Sequence, residues 1–598
     1  MTTKTTDWPG ANTQHGVLVA FGEFLQQHGL IEGLMQVPVP QKTRRFSPQT
    51  KLVEFLAGIM SGMEHLEDLN ADAHPLTRDA VVAQTWGQAG FAHYSGVSRT
   101  LDACDARTVA AVEQAITDFS RPFIAAQINE LLRRGAAIIY DLDLMGQAVS
   151  PTSTTYPEAQ FGWMDDSVRL GYQLARVCVT GADGQRIWLA GFHHPGDTVS
   201  KACVQELIAA AEAQTHVRPR RRTELVQQRI HTQTQHLTRL QRLRQQRVAK
   251  VQNWGQIREG LIGQRYHAEQ QLKTAGISAK KKADLREKLK KWRKRLPKLE
   301  AQIVLGQQVQ DKHQMEVLGA QAHLAELKTW CATLENDNQA NPQPPDYLEA
   351  RMDAGFTSGE NLTWVVDAKR GYGPNTKSPN SQTTQALRNQ LSARPAWSQV
   401  GKNAEMVAFG EYHMHGCPYP LIAALERFKV GREFRYATLL RYRDDGRSRS
   451  LREWFQHYNA RQTIEAGNKE MKGTFFVQHL MTHALPGIQL QVLFTGLAAN
   501  CLRWSTPWLI DCSDQLTPKW QRTLNSPKNL VHVAANCTAR VEQTSNGTAL
   551  QFAPESPFPG VTLFLKGVSA FQLALGFNRP SKISNETTNQ ALVAQNLR

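Results

Sequence analysis

Residues 457–473 read HYNARQTIEAGNKEMKG, within a segment expected to form one helix from about Leu451 to Lys472. Tyr458, Arg461, Glu465 and Lys472 stand at offsets 0, 3, 7 and 14. At about 100° per residue they fall within roughly 60° of one another on the helix. At 1.5 Å per residue they span about 21 Å of its axis. One face would then present a phenol, a guanidinium, a carboxylate and an ammonium in a row. Three of these groups can hold phosphates, and the carboxylate can hold a metal ion beside them. Taken alone, the same residues make an ordinary solvated helix face, with Arg461 and Glu465 as an i, i+4 ion pair.

Outward from this helix the chain reads as α/β. Upstream, AAIIYDLDLMG (136–146) is an apolar, β-branched run carrying two acids. RLGYQLARVCVT (169–180) and the strand after it flank Gly-Ala-Asp-Gly, a hairpin turn, and KACVQELIAAAEAQ (201–214) reads as a helix. Closer to the helix, YLEARMD (347–353) and TWVVDAK (363–369) read as strands, as does FRYATLLRYR (434–443). Asp141 and Asp143 are two apart, so on a strand both point to one face. Such a pair is costly unless a cation neutralises it or the strand is ending in solvent. GIQLQVLFTGLAANCLRW (487–504) reads as a buried helix, and RVEQT and ALQF flank an Asn-Gly turn near the C-terminus.

The formal charge of the 598-residue chain is +16, but residues 218–298 hold 24 Lys and Arg against 5 Asp and Glu. The basicity belongs to one segment, and such a block faces phosphates or is a solvated coiled-coil surface. Residues 216–336 are poor in Gly, Pro and strand formers. Within them Leu285, Leu289, Trp292, Leu296, Leu299 and Ile303 recur at heptad spacing. An antiparallel helical arm is expected, its tip near 274–279 and a kink or break at Pro297. Lys290, Arg293 and Lys294 lie off the apolar seam and are candidate DNA contacts.

Residues 1–130 read as helical. HYSGVSRTLDACDARTVAAVEQAI (93–116) suits a plain bundle or a helix-turn-helix with Ser95, Ser98 and Arg99 near the start of its second helix. The eight cysteines form no C-x-x-C pair, which argues against a zinc ribbon or a disulfide framework. No uninterrupted apolar run is expected to span a membrane, and the N-terminus shows no secretory pattern, so a cytoplasmic protein is expected. His413, His415 and Cys417 could share a strand face as metal ligands, but Gly416 and Pro418 suggest a loop.

The Y-x2-R-x3-E-x6-K pattern resembles the signature of bacterial insertion-sequence transposases of the DDE superfamily, matched at all four positions. RMDAGFTSGENLTWVVDAKRGYG (351–373) resembles the segment around that family's second acid. The resemblance covers roughly residues 130–510 without the arm. It implies a ribonuclease-H-like mixed sheet core in an α/β protein. Around that core are expected an N-terminal helical, DNA-binding domain (1–130), a basic coiled-coil insertion (216–340) and a C-terminal appendage (511–598). The core halves are then 131–215 and 341–510, the second with a strand-rich insert. It implies that Glu465 is the third catalytic acid, Asp353 the second, and Asp143 the first, with Asp141 as the alternative. These acids would ligate two Mg²⁺ or Mn²⁺ ions. Tyr458, Arg461, Lys472 and Lys369 would hold DNA. The partners implied are double-stranded DNA, both transposon ends and target, and a second copy in a homodimer, with no membrane. Leu144 departs from the family pattern, which has a small or hydroxyl residue after the first acid. A transposase-derived DNA-binding protein without catalysis, or another ribonuclease-H-like nuclease, are the alternative expectations.

Overall fold

The computed structural model describes residues 11–71, 73–164, 166–341, 348–368, 374–377, 381–391, 395–442, 450–544 and 547–567. The protein is mixed α/β. Its compact units are Met1–Pro219 with Pro344–Arg598, and Arg220–Gln343.

Among the described residues the first unit holds two sheets. Strands are numbered in chain order: β1 (Ala11–Thr13), β2 (Ile138–Ala148), β3 (Gln160–Met164), β4 (Ser167–Thr180), β5 (Arg186–Pro195), β6 (Leu348–Met352), β7 (Pro374–Lys377), β8 (Ser398–Gly401), β9 (Ala404–Tyr412), β10 (Leu421–Val430), β11 (Glu433–Tyr442), β12 (Ala539–Thr544), β13 (Gly547–Phe552) and β14 (Thr562–Leu565). The large sheet runs β3-β4-β2-β6-β7-β11-β10-β9-β8, with β5 also on β4. β2, β6 and β7 are mutually parallel, and β4 runs antiparallel to both β2 and β5. The β4–β5 turn is closed by Gly181 N donating to Gln185 O, with Gly184 at φ 79° where a side chain would be strained.

The helices used below are α1 (Gly16–Gln27), α2 (Pro48–Met60), α3 (Ala106–Arg133), α4 (Val204–Thr215), α5 (Thr223–Lys273), α6 (Ala279–Gln339), α7 (Gly359–Ala368), α8 (Leu451–Asn459), α9 (Gln462–Thr474) and α10 (Leu485–Cys512). Of TWVVDAK, expected as a strand, residues 363–368 belong to α7. Leu362, Val365 and Val366 bury one helical face there, and the Ser358 hydroxyl accepts from Asn361 N at the first turn. The strand propensity of Val-Val lost to this cap and to the helical spacing of the apolar residues.

α10 is buried along most of its length and packs on β5, α2 and α3. Asn500 fixes it to the sheet: its Nδ2 donates to Trp188 O and its Oδ1 accepts from Trp188 N. By length and composition this helix could cross a membrane, although Gln489, Gln491, Asn500 and Arg503 interrupt its apolar run, and 72% of its most apolar window is buried inside the protein. β1 pairs with β12, so the chain's first strand shares the small sheet β1-β12-β13-β14 with the segment expected as a C-terminal appendage.

The second unit is a helical hairpin of α5 and α6, with the turn at 274–278. Leu285, Leu289, Leu296 and Leu299 are buried in its seam, against Leu261, Ala268 and Trp254. Of the kink or break expected at Pro297, the break does not occur: α6 runs on through it. The proline costs one backbone hydrogen bond, but Leu296 and Leu299 on either side are clamped by α5.

Candidate active site

Asp143 lies near the middle of β2, where β2 pairs with β4 and has run past the end of its pairing with β6. Asp353 follows the last residue of β6, and its carboxylate accepts from Gly355 N as the chain turns. Glu465 stands in the first turn of α9. These three acids, from three elements, meet at one guanidinium. Arg461 Nη2 donates to Asp143 Oδ1 at 2.8 Å and reaches Asp353 Oδ2 at 3.5 Å, and its Nη1 lies 3.6 Å from Glu465 Oε1. It also donates to Leu142 O, while its Nε is buried without a hydrogen-bond partner among the described residues.

The segment from Leu451 to Lys472 is not one straight helix. At its middle Arg461 N bonds Tyr458 O, and Ile464 N bonds Arg461 O, i to i−3 contacts that tighten the turn. The break separates α8 from α9 and the Arg461 side chain is only 8% exposed. Tyr458 is buried too, and its hydroxyl donates to Met352 O, next to Asp353. The expected row of four solvent-facing groups is therefore corrected. Tyr458 braces the strand end that carries Asp353, Arg461 is the counter-ion of the acids, and Lys472 is half-buried in the last turn of α9.

Burial is the largest influence on Asp143 and raises its carboxyl to about 6; Arg461 opposes that rise and Asp353 reinforces it. Burial disfavours the Arg461 charge, but Asp143 and Asp353 outweigh it and raise its pKa. Burial likewise raises the Tyr458 phenol. Arg461 is a cation that the three acids share. Asp353 and Glu465 remain 41% and 58% exposed on the solvent side. A divalent cation held by carboxylate oxygens fits this donor set.

Asp141 has a different environment. Arg351, its register partner on β6, donates to both carboxylate oxygens at 2.6 Å, and Asp141 is completely buried. It is half of an internal ion pair.

Two contributors were not assigned a role from sequence. Asn468 Nδ2 donates to Asp143 Oδ2, and its Oδ1 accepts from Arg176, whose guanidinium lies 3.5 Å over the Trp188 ring. Asn468 is three residues after Glu465, hence on the same helix face, which was the available signal. Arg351, two residues before Asp353, opens the segment that resembles the family's second-acid region, and its strand register with Asp141 reveals its role.

Lys369 lies outside the described residues. Arg99 is exposed on the helix Tyr94–Ala103, and Lys290, Arg293 and Lys294 are exposed on α6. His413 pairs with Glu411, and the Cys417 thiol donates to Tyr419 O. Glu64, His65 and His479 bring ligand atoms within 4.8 Å of one another elsewhere on the first unit. No protein-family model matches the chain, and no curated protein matches it.

Proposed function

We propose that this chain is a DDE transposase: it binds the terminal inverted repeats of its own element, cleaves the ends and joins them to target DNA. The observation that carries the reading is the convergence of Asp143, Asp353 and Glu465 on Arg461, from three elements far apart in sequence. The strand order β5-β4-β2-β6-β7, with only β4 antiparallel to its neighbours, supports a ribonuclease-H-like core. In it β2 supplies the first acid and β6 the second.

Asp143, Asp353 and Glu465 would hold two Mg²⁺ or Mn²⁺ ions. When bound, such ions supply activation of a water or 3′-hydroxyl and stabilisation of the leaving oxygen in an in-line displacement at phosphorus. The chain's own residues orient the acids. Asn468 fixes the rotamer of Asp143, Tyr458 pins the end of β6, and Arg461 holds the three carboxylates together. Exposed cations such as Lys290, Arg293 and Lys294 suit sequence-independent contact with phosphates. The working form would be a cytoplasmic dimer that holds both ends.

One observation favours a second reading, a transposase-derived DNA-binding protein without catalysis: Arg461 already neutralises Asp143. The test is cleavage of an oligonucleotide duplex carrying the element's terminal repeat, in Mg²⁺ and in Mn²⁺. Specific nicking at the repeat boundary is expected. Asp353→Ala and Glu465→Ala should each reduce it by about 10³-fold or more while end binding changes less than about threefold. Binding without cleavage in either metal would establish the second reading.

A further inference from the structure

The hairpin of α5 and α6 has an apolar seam on its inside and a second apolar row on its outside. Within the seam Val317 and Ala320 are buried against Leu240, and Gly306 sits so close to Trp254 that a Cβ would come within 2.9 Å. Opposite that seam, on the same helix, Val304 is 53% exposed, Leu305 61%, Met315 68% and Leu318 47%. The outer positions repeat with heptad spacing: 301, 308, 315 and 322 form one line, with 304, 311 and 318 beside it. An exposed apolar row of this kind marks a surface that a partner covers.

We propose that the partner is a second copy of this chain, and that two α6 helices pair antiparallel over Ala301–Ala322. Charge selects this occupant. From Ala279 to Lys298, α6 carries eleven Lys and Arg against two acids; from Leu299 to Glu326 it carries one Lys against four acids. The stretch with the apolar row is therefore the stretch that neither attracts phosphate nor repels a like arm. α5 packs along the seam face of α6, and its Arg258 pairs with Glu300 of α6.

The row is also self-complementary. About a two-fold axis between Asp311 and Lys312, each Asp311 meets the Lys312 of the other copy. Flanking this centre, Leu305 faces Leu318, Val304 faces Gly319 and Ala301 faces Ala322. All of these residues are exposed, and neither Asp311 nor Lys312 has an ion-pair partner within the chain among the described residues. Each contact occurs twice, as an isologous interface requires. A parallel pairing would set Asp311 on Asp311 and Lys312 on Lys312, which repels. The paired stretch is about 32 Å long. This interface does not depend on the reading of the acid cluster.

Sedimentation of the full chain without DNA tests it. The wild type is expected to dimerise at micromolar concentration. Asp311→Lys and Lys312→Asp should each weaken the dimer at least tenfold, and the combined swap should restore it. All these positions are exposed, and unchanged helix content by circular dichroism confirms that each variant folds. An Ala301→Cys/Ala322→Cys double variant should form a disulfide-linked dimer on mild oxidation, and neither single variant should; the eight native cysteines are buried. A monomeric wild type, single charge variants that dimerise normally, or a combined swap as weak as the singles would each overturn the proposal. So would cross-linking by Ala301→Cys alone.

Discussion

Arg351 and Asp141 lie inside the sheet with 3% and 0% of their side chains exposed, joined through both carboxylate oxygens. Lys290, Arg293 and Lys294 stand on the arm in solvent. In the sheet, each charge depends on one named partner at one distance, because withdrawing it from water is expensive without that partner. On the arm, each charge keeps its hydration, and only the density of charge along the helix carries meaning. The two regions should therefore respond differently to substitution: steeply and residue by residue in the sheet, gradually and by number on the arm.

The largest effect is expected where the sheet's two acids are contrasted. Asp141→Asn leaves Arg351 buried without its counter-charge and should cost about 3–5 kcal/mol of stability. Asp143→Asn replaces a group whose burial already raises its pKa to about 6, and Asp353 and Glu465 remain beside Arg461, so its loss of stability should be smaller than that of Asp141→Asn. Its cleavage of end DNA should nonetheless disappear. Urea unfolding of both variants, alongside the cleavage assay, separates the roles. Equal destabilisation by the two would remove the distinction between an internal ion pair and a site acid.

On the arm, the triple variant Lys290→Ala/Arg293→Ala/Lys294→Ala should leave the melting temperature nearly unchanged, since all three side chains are exposed. If all three meet phosphates, the slope of log affinity against log salt should fall by about 2.7. Single variants should each change it by about 0.9. An unaltered slope in the triple variant would leave the arm a pairing device with no contact to nucleic acid.

Much of this organisation is readable in the sequence, and the failures have a common cause. The arm, its turn and its seam follow from heptad spacing, a local and strongly periodic signal. The strand carrying Asp143 follows from an apolar run, and the short strand that ends just before Asp353 is also expected. What could not be read was the direction taken by a side chain after a small backbone change. The i to i−3 contacts at Arg461 turn its guanidinium inward, and no helical projection of residues 457–473 anticipates that. Asp141 and Asp143 look alike on a strand. They differ because the β6 register sets Arg351 beside only one of them. TWVVDAK was misread because Val-Val favours a strand, while the Ser358 cap that starts α7 lies upstream of the run. These are long-range or capping facts, and single-sequence periodicity does not contain them.

A buried acid without a bonded cation offers the finest test of the contrast. Glu54 on α2 is fully buried; its Oε2 accepts from Ala92 N, and its Oε1 has no hydrogen-bond partner among the described residues. Lys51, on the same helix, lowers its pKa only in part, and burial raises it to about 8. The unfolded chain would release this proton near 4.5. Between those values the folded state holds a proton that the unfolded state lacks, so stability falls as pH rises. The slope should approach about 1.4 kcal/mol per pH unit and end near pH 8. Glu54→Gln keeps the neutral shape and removes the titration. The stability of the wild type relative to this variant should therefore decline from pH 5 to pH 8 and then level off. Parallel curves for the two proteins across that window would mean that Glu54 is charged in the folded state.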